Sequence, residues 1–311
     1  MTAAGTMVSD DTAQRHGLIH RVVVGGIVDP LRRYPLGLYP TIMLGVFFFV
    51  PFLIMIDISF WHRVESRTYE RAFELTHYAR FFSPLFTTHL WVSIEFSALS
   101  SALCLVVAVP FTFFLSRFRR KPQVVALVFV LCVLSLSEVI IAYSWSVLLS
   151  RVAGIPKLLF DIGLLDSPDS WFPGFWAVLC GLTYFNVPLA ILVLYPQSTR
   201  LDRELTEAAQ TLGASPLITF WTVVIPLLWK AILACFILLF VFTMGAFVTP
   251  LWLGEPENTM YAQLIANQML SRNNAPFAAA LGVFLVVVTL VLVAITFWLG
   301  RERSAVAGGR R

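Results

Sequence analysis

The chain has 311 residues, of which 58% are hydrophobic and only 13% charged, with a mean hydropathy of +0.81 and a formal net charge of +4. Soluble domains carry about 25% charged residues, so an ordinary water-soluble enzyme is excluded by composition. The small positive balance needs no nucleic acid to explain it, because basic loops at a membrane surface account for it.

Residues 1–37 are polar with scattered arginines and lack the short apolar core and cleavage site of a signal peptide. They read as a cytoplasmic N-terminal tail. Six apolar runs follow, at about 38–61, 90–114, 124–149, 175–195, 227–253 and 276–299. Each is near or above the roughly 20 residues that cross a bilayer as a helix. Each must be helical, because lipid offers the backbone no hydrogen-bond partner. The expected architecture is all-α: a six-span membrane domain over 38–300, followed by a cytoplasmic C-terminal tail at 301–311.

Lysine and arginine placement sets the orientation. One side carries Arg15, Arg21, Arg32, Arg33, Arg117, Arg119, Arg120, Lys121, Arg200, Arg203, Lys230, Arg301, Arg303, Arg310 and Arg311. The other carries Arg63, Arg67, Arg71, Arg80, Arg151, Lys157 and Arg272. The richer side holds both termini and is read as cytoplasmic. Of the opposite loops, 62–89 is charged and aromatic and is expected to form short interfacial helices. The loop 150–174 is rich in Gly, Pro and Asp and is expected to be irregular but compact. In 254–274, Glu255-Pro256-Glu257 precedes a stretch, 261–270, that reads as one short helix.

Cys104, Cys132, Cys180 and Cys235 fall inside the spans without paired spacing, so they read as core thiols. No metal-ligand spacing occurs. The only lysines are Lys121, Lys157 and Lys230, and none follows a glycine-rich loop, so no nucleotide phosphate is cradled in the P-loop manner. The chain is read as a non-enzyme without metal or cofactor of its own. Glu95 and Glu138 lie within apolar spans, where an ionisable group is costly and faces a cavity or a partner. They read either as an acidic lining for a cationic solute or as structural carboxyls. Tyr143, Trp145, Tyr184 and Asn186 fall at similar depth and are candidates for the same pathway.

The loop between spans four and five, about 199–226, departs most from a plain hydrophilic connector. Asp202 is placed to cap a helix beginning at Arg203. Leu201, Leu205, Ala208 and Leu212 fall near one helical stripe. Gly213 stands where a helix ends in a left-handed residue. Ser215-Pro216 reads as an N-cap followed by proline at the first helical position. Pro226 is expected to kink or break the second helix. The small residues Ala208, Ala209 and Gly213 let another surface approach the backbone.

Glu207-Ala208-Ala209, then Gly213 four residues on, then Ile225-Pro226 twelve after that, resembles the EAA loop of bacterial ABC importer permeases. Tyr78–Phe82, Pro110-Phe111 and Tyr143-Ser144-Trp145 look like the family's stretches at those places. The run 245–254, with Phe247-Val248-Thr249-Pro250 at its centre, looks like the end of span five in the spermidine/putrescine-type branch. Two positions depart from that branch, Glu255 where a second glycine often stands and Ile141 where an arginine often stands, which puts the substrate in doubt and leaves the fold untouched.

The resemblance implies a type I ABC importer permease fold in a bacterial inner membrane. It implies two ATPase subunits that bind ATP and Mg and dock on Glu207, Ala208, Ala209, Gly213, Ser215 and Pro226. It further implies a second permease, usually a homologous one with a homodimer as the alternative, and a solute-binding protein delivering a polyamine or other amine or amino-acid-like compound. A secondary transporter without an ATPase is the rival reading; it leaves the EAA-like loop unexplained, and the internal repeat such carriers often show is absent.

Overall fold

The computed structural model describes residues 35–63, 69–70, 78, 81, 83–164, 167 and 169–308. Most of the expected N-terminal tail, and Ala79, Arg80 and Phe82 of the Tyr78–Phe82 stretch, lie outside them. The chain divides into two compact units, Met1–Asp57 and Ile58–Arg311. The described part of the first belongs to α1 (Pro35–Ser59), whose 25 residues give about 37 Å of helix, enough for a bilayer core of about 30 Å.

In the second unit, His62–Arg63 (β1) pairs antiparallel with Tyr69–Glu70 (β2) where short helices were expected. Most of residues 64–82 lies outside the described set. Then come α2 (Pro84–Arg117), α3 (Arg120–Leu134), α4 (Glu138–Leu148), α5 (Ile155–Asp161), α6 (Phe175–Thr199), α7 (Arg203–Thr211), α8 (Pro216–Met244), α9 (Val248–Leu253), α10 (Tyr261–Leu270) and α11 (Ala275–Gly308). Among the described residues five helices are long and apolar enough to cross a membrane, and the bent α3–α4 pair makes a sixth if it counts as one span. The helix α10 matches expectation. The loop 150–174 contains α5, and α11 carries its helix on to Gly308, into the expected C-terminal tail.

The most extensive helix contact is α2 on α6. Ser93, Ser97, Ser100, Cys104, Ala108 and Thr112 lie three or four residues apart along α2 and are fully buried. Small side chains at this spacing form a seam that a second helix can approach closely, which is how apolar helices associate where lipid removes the hydrophobic driving force. Ala190, Ile191 and Leu194 of α6 join this core, with Cys235 and Leu239 of α8 and Val130 of α3. Hydroxyls add polar rungs, as where Ser198 Oγ meets Thr112 Oγ1 at 3.4 Å.

Three departures from the expected spans have local causes. The run 124–149 is broken between Leu134 and Glu138, and the two helices bend by 91°. Ser135 returns its hydroxyl to the Leu131 carbonyl at 2.9 Å, ending α3, and Glu138 sits in the first turn of α4, where the helix dipole favours an anion. The run 227–253 does not make one helix. Its helix stops at Met244 with Gly245 as C-cap, and α9 begins afresh at Val248. Pro226 does not break α8: the helix widens into a π turn at Phe220–Val224 and the Ile225 amide reaches back to the Phe220 carbonyl. Proline has no amide proton for the usual bond, and one wide turn accommodates the loss.

Candidate functional site

The loop 199–226 folds as its residues dictate. Asp202 caps α7, its carboxylate accepting from the Glu204 amide at 3.1 Å. At the other end, the Ala214 amide donates to the Ala209 carbonyl at 3.1 Å and the Gly213 amide to the Gln210 carbonyl at 2.9 Å. That bond pair is a Schellman closure, and it requires the left-handed conformation that Gly213 adopts at φ +90°. Ser215 then accepts from the Ile218 amide at 3.3 Å, and Pro216 starts α8. The outcome is a nine-residue helix, a tight turn and a long helix.

The burial pattern of α7 determines what it can do. Thr206 is buried toward the protein. Leu205 and Leu212 are 46% and 88% exposed, and Glu207 and Ala208 are exposed beside them. The apolar stripe seen in the sequence therefore turns away from the rest of the subunit, the arrangement expected of a helix that docks into a groove on something else. Its back is tied to the spans. Arg203 Nη2 donates to the Ser116 carbonyl at 3.5 Å, near the end of α2, and the Phe113 ring lies 5.5 Å from Phe220 at the start of α8. Gly213 and Ser215 are exposed, Ala209 is half-buried, and Pro226 is exposed on α8.

The proposed pathway residues do not form one cluster. Glu138 and Asn186 line one cavity of about 260 Å³ with Phe185, Phe242, Thr243 and Phe247. Trp145 and Tyr184 meet edge to face at 5.8 Å and line a separate cavity of about 300 Å³ with Ser144. Tyr143 is largely exposed, its ring edge-on to Trp252 at 6.5 Å. Glu95 lies on the exposed apolar face of α2 with Trp91, Leu99 and Leu103, away from both cavities.

Glu138 Oε1 accepts from the Thr249 amide at 3.1 Å and from its hydroxyl at 2.8 Å. Thr249 is the second residue of α9, so its amide is one of the donors a helix start leaves without an internal partner. Pro250 follows and has no amide proton, and a carboxylate 111 residues away caps what remains. This accounts for the Phe-Val-Thr-Pro run and joins the two breaks at Glu138 and Gly245 to each other. Asn186 lies near the middle of α6 and is 1% exposed. Its Nδ2 donates to Ser100 Oγ of α2 at 3.2 Å and to Thr243 Oγ1 of α8 at 2.8 Å, clamping three helices. Ser100 and Thr243 were not singled out from sequence, and Thr249 was read only as part of the Phe-Val-Thr-Pro run. The available signals were the Ser93, Ser97, Ser100 spacing and a threonine ahead of proline at a span end.

Comparison with known proteins places the chain. Residues 106–304 match the family of binding-protein-dependent transport system inner membrane components. The chain is 30% identical over 255 residues to the spermidine/putrescine transport system permease protein PotB of Escherichia coli strain K12, covering 82% of this chain and 92% of that one. It is 30% identical over 247 residues to PotB of Haemophilus influenzae, covering 79% and 86%. In fold it is similar to a chain of a bacterial alginate ABC transporter solved with an alginate pentasaccharide-bound periplasmic protein. There the TM-score is 0.66 at 20% identity, over 89% of this chain and 97% of the other.

Proposed function

The chain belongs to the family of inner-membrane components of binding-protein-dependent transport systems, and from that premise we propose that it forms half of the pathway of an ATP-driven importer for an amine-bearing solute. The observation that carries this reading is α7. It is a short capped helix with an outward apolar stripe, fastened behind to α2 and α8. Two ATPase subunits dock there and bind the ATP and Mg; this subunit hydrolyses nothing. A second, homologous permease completes the pathway and a solute-binding protein delivers the cargo. The amine class follows the spermidine/putrescine permeases the chain is similar to.

When the ATPases close on ATP, they move α7 as a rigid piece. The Arg203–Ser116 contact and the short Gly213–Ser215 turn pass that motion to α2 and α8. Because α7 is held differently in the open and closed ATPase dimers, ATP binding shifts the balance between inward- and outward-facing states. Purifying the tagged subunit after mild detergent extraction tests this reading. A stoichiometric ATPase is expected with it, and a complex that transports without one would overturn it.

The orientation has its own test. The loop 199–226 and both termini face the cytoplasm in this reading. In a background lacking the four native cysteines, Ser170→Cys is expected to react with a membrane-impermeant thiol reagent applied to intact cells. Thr211→Cys, exposed on α7, is expected to react only after the cytoplasmic side is opened. The reverse pattern would overturn the orientation. Thr206 is no reporter for this purpose because it is buried.

A further inference from the structure

The cavity between α4, α6 and α8 is lined by two oxygens to which no described residue donates. Glu138 spends Oε1 on Thr249, and among the described residues no donor reaches Oε2. Asn186 Oδ1 is buried without a donor. The Thr243 hydroxyl donates to the Leu239 carbonyl at 2.8 Å and its oxygen accepts from Asn186 Nδ2, which leaves Oδ1 over. A buried acceptor left unpaired is costly and calls for a partner that the subunit alone does not supply.

We propose that Glu138 and Asn186 form an ammonium subsite in the translocation pathway, taking one primary amine of the cargo. The assignment rests on the amine-importer reading above and deepens it. The chemistry of the cavity selects this group. The two free positions are acceptors, and no lysine, arginine or histidine lines the cavity, so an anionic group or a carbonyl finds no charged donor there. A primary ammonium is donor only, with three N–H bonds to give. Phe185 and Phe242 lie stacked with centroids 5.8 Å apart beside the carboxylate, and Phe247 completes an aromatic wall of the kind that accepts cations on its faces. Two side-chain oxygens are too few for a calcium site, which takes six to eight. The site is also pre-positioned, since Thr249 holds Glu138 from one side while Ser100 and Thr243 hold Asn186 from the other. Glu95, on another face of α2, has no part in it.

The test uses the complete reconstituted importer, with putrescine and spermidine as probes. Binding of both amines to the cognate solute-binding protein is measured first. Uptake is then compared for wild type, Glu138→Gln and Glu95→Gln at matched membrane abundance with the binding protein saturated. The Gln carbonyl still accepts from Thr249, so Glu138→Gln removes the charge and keeps the cap, whereas Glu95→Gln removes a carboxylate charge outside the cavity. Losing a charge-assisted bond should lower amine uptake by about tenfold in Glu138→Gln. ATP hydrolysis stimulated by the loaded binding protein should stay near the wild-type rate, and Glu95→Gln should transport close to wild type. Wild-type uptake by Glu138→Gln would overturn the subsite. So would equal losses in Glu138→Gln and Glu95→Gln, since that pattern belongs to the loss of any membrane carboxylate. A binding protein that takes neither amine would instead remove the amine class, and the subsite with it, leaving the importer reading standing.

Discussion

Gly213→Val is expected to lower uptake by about tenfold or more while leaving the subunit in the membrane, because it attacks one turn and no span. The residue sits at φ +90°, where an L side chain costs on the order of 1–2 kcal/mol and a β-branched one is a clear outlier. A Cβ there would meet nothing within 4 Å, so the penalty is backbone strain without a clash inside the subunit. The strain is relieved by opening the Ala214–Ala209 and Gly213–Gln210 bonds, which detaches the end of α7 from its fixed angle to α8. Glu207→Lys reaches the same result by another route, reversing a charge on the exposed face of α7 proposed for docking while leaving the turn intact. Both variants should lose ATPase from the purified complex or hydrolyse ATP without transport. Uptake, ATP hydrolysis and subunit recovery measured together decide the matter, and wild-type uptake with an intact complex in both would sink the assignment of α7 as the coupling helix.

Gly181→Val should destabilise the subunit by about 1–3 kcal/mol, the usual range for overfilling a packed interior. A Cβ at Gly181 would come within 2.7 Å of Leu253 Cδ1 and 2.8 Å of Thr249 Cγ2. Leu253 is fully buried, and Thr249 is held by Glu138 through two hydrogen bonds, so neither can swing clear. The added methyls therefore push α9 off α6 and pull Thr249 from the carboxylate that caps it. Uptake should fall with stability, since the same shift disturbs the cavity wall. Cys180→Val, one residue away and exposed on the same helix, is the control and should be close to neutral. Thermal unfolding of the detergent-solubilised subunit reads the difference, and equal midpoints for the two variants would contradict the packing described.

The loop 199–226 was legible because its structure is made of short-range signals. Asp202 two residues before the amide it caps, Gly213 at a helix end and Ser215 ahead of Pro216 are each sufficient within a few residues of chain, and all three appear in the fold as read. The outward turn of Leu205 and Leu212 was not legible. A helical stripe says that one face is apolar, and only the packing of Thr206 and Arg203 against the rest of the subunit says which face is left over.

The spans divide in the same way. Length and hydropathy by themselves determined that this is an all-helical membrane protein, because a backbone in lipid must satisfy its own hydrogen bonds. They could not determine where the third and fifth runs break. Apolar side chains stay apolar on both sides of a break, and the contact that joins these two breaks, between Glu138 and Thr249, spans 111 residues. The sequence likewise established that a carboxylate inside a span needs a partner. Tertiary structure decided that Glu138 has one in Thr249 and shares a cavity with Asn186, and that Glu95 stands apart, since the cost of burying a charge is general while the group that offsets it depends on which helices meet.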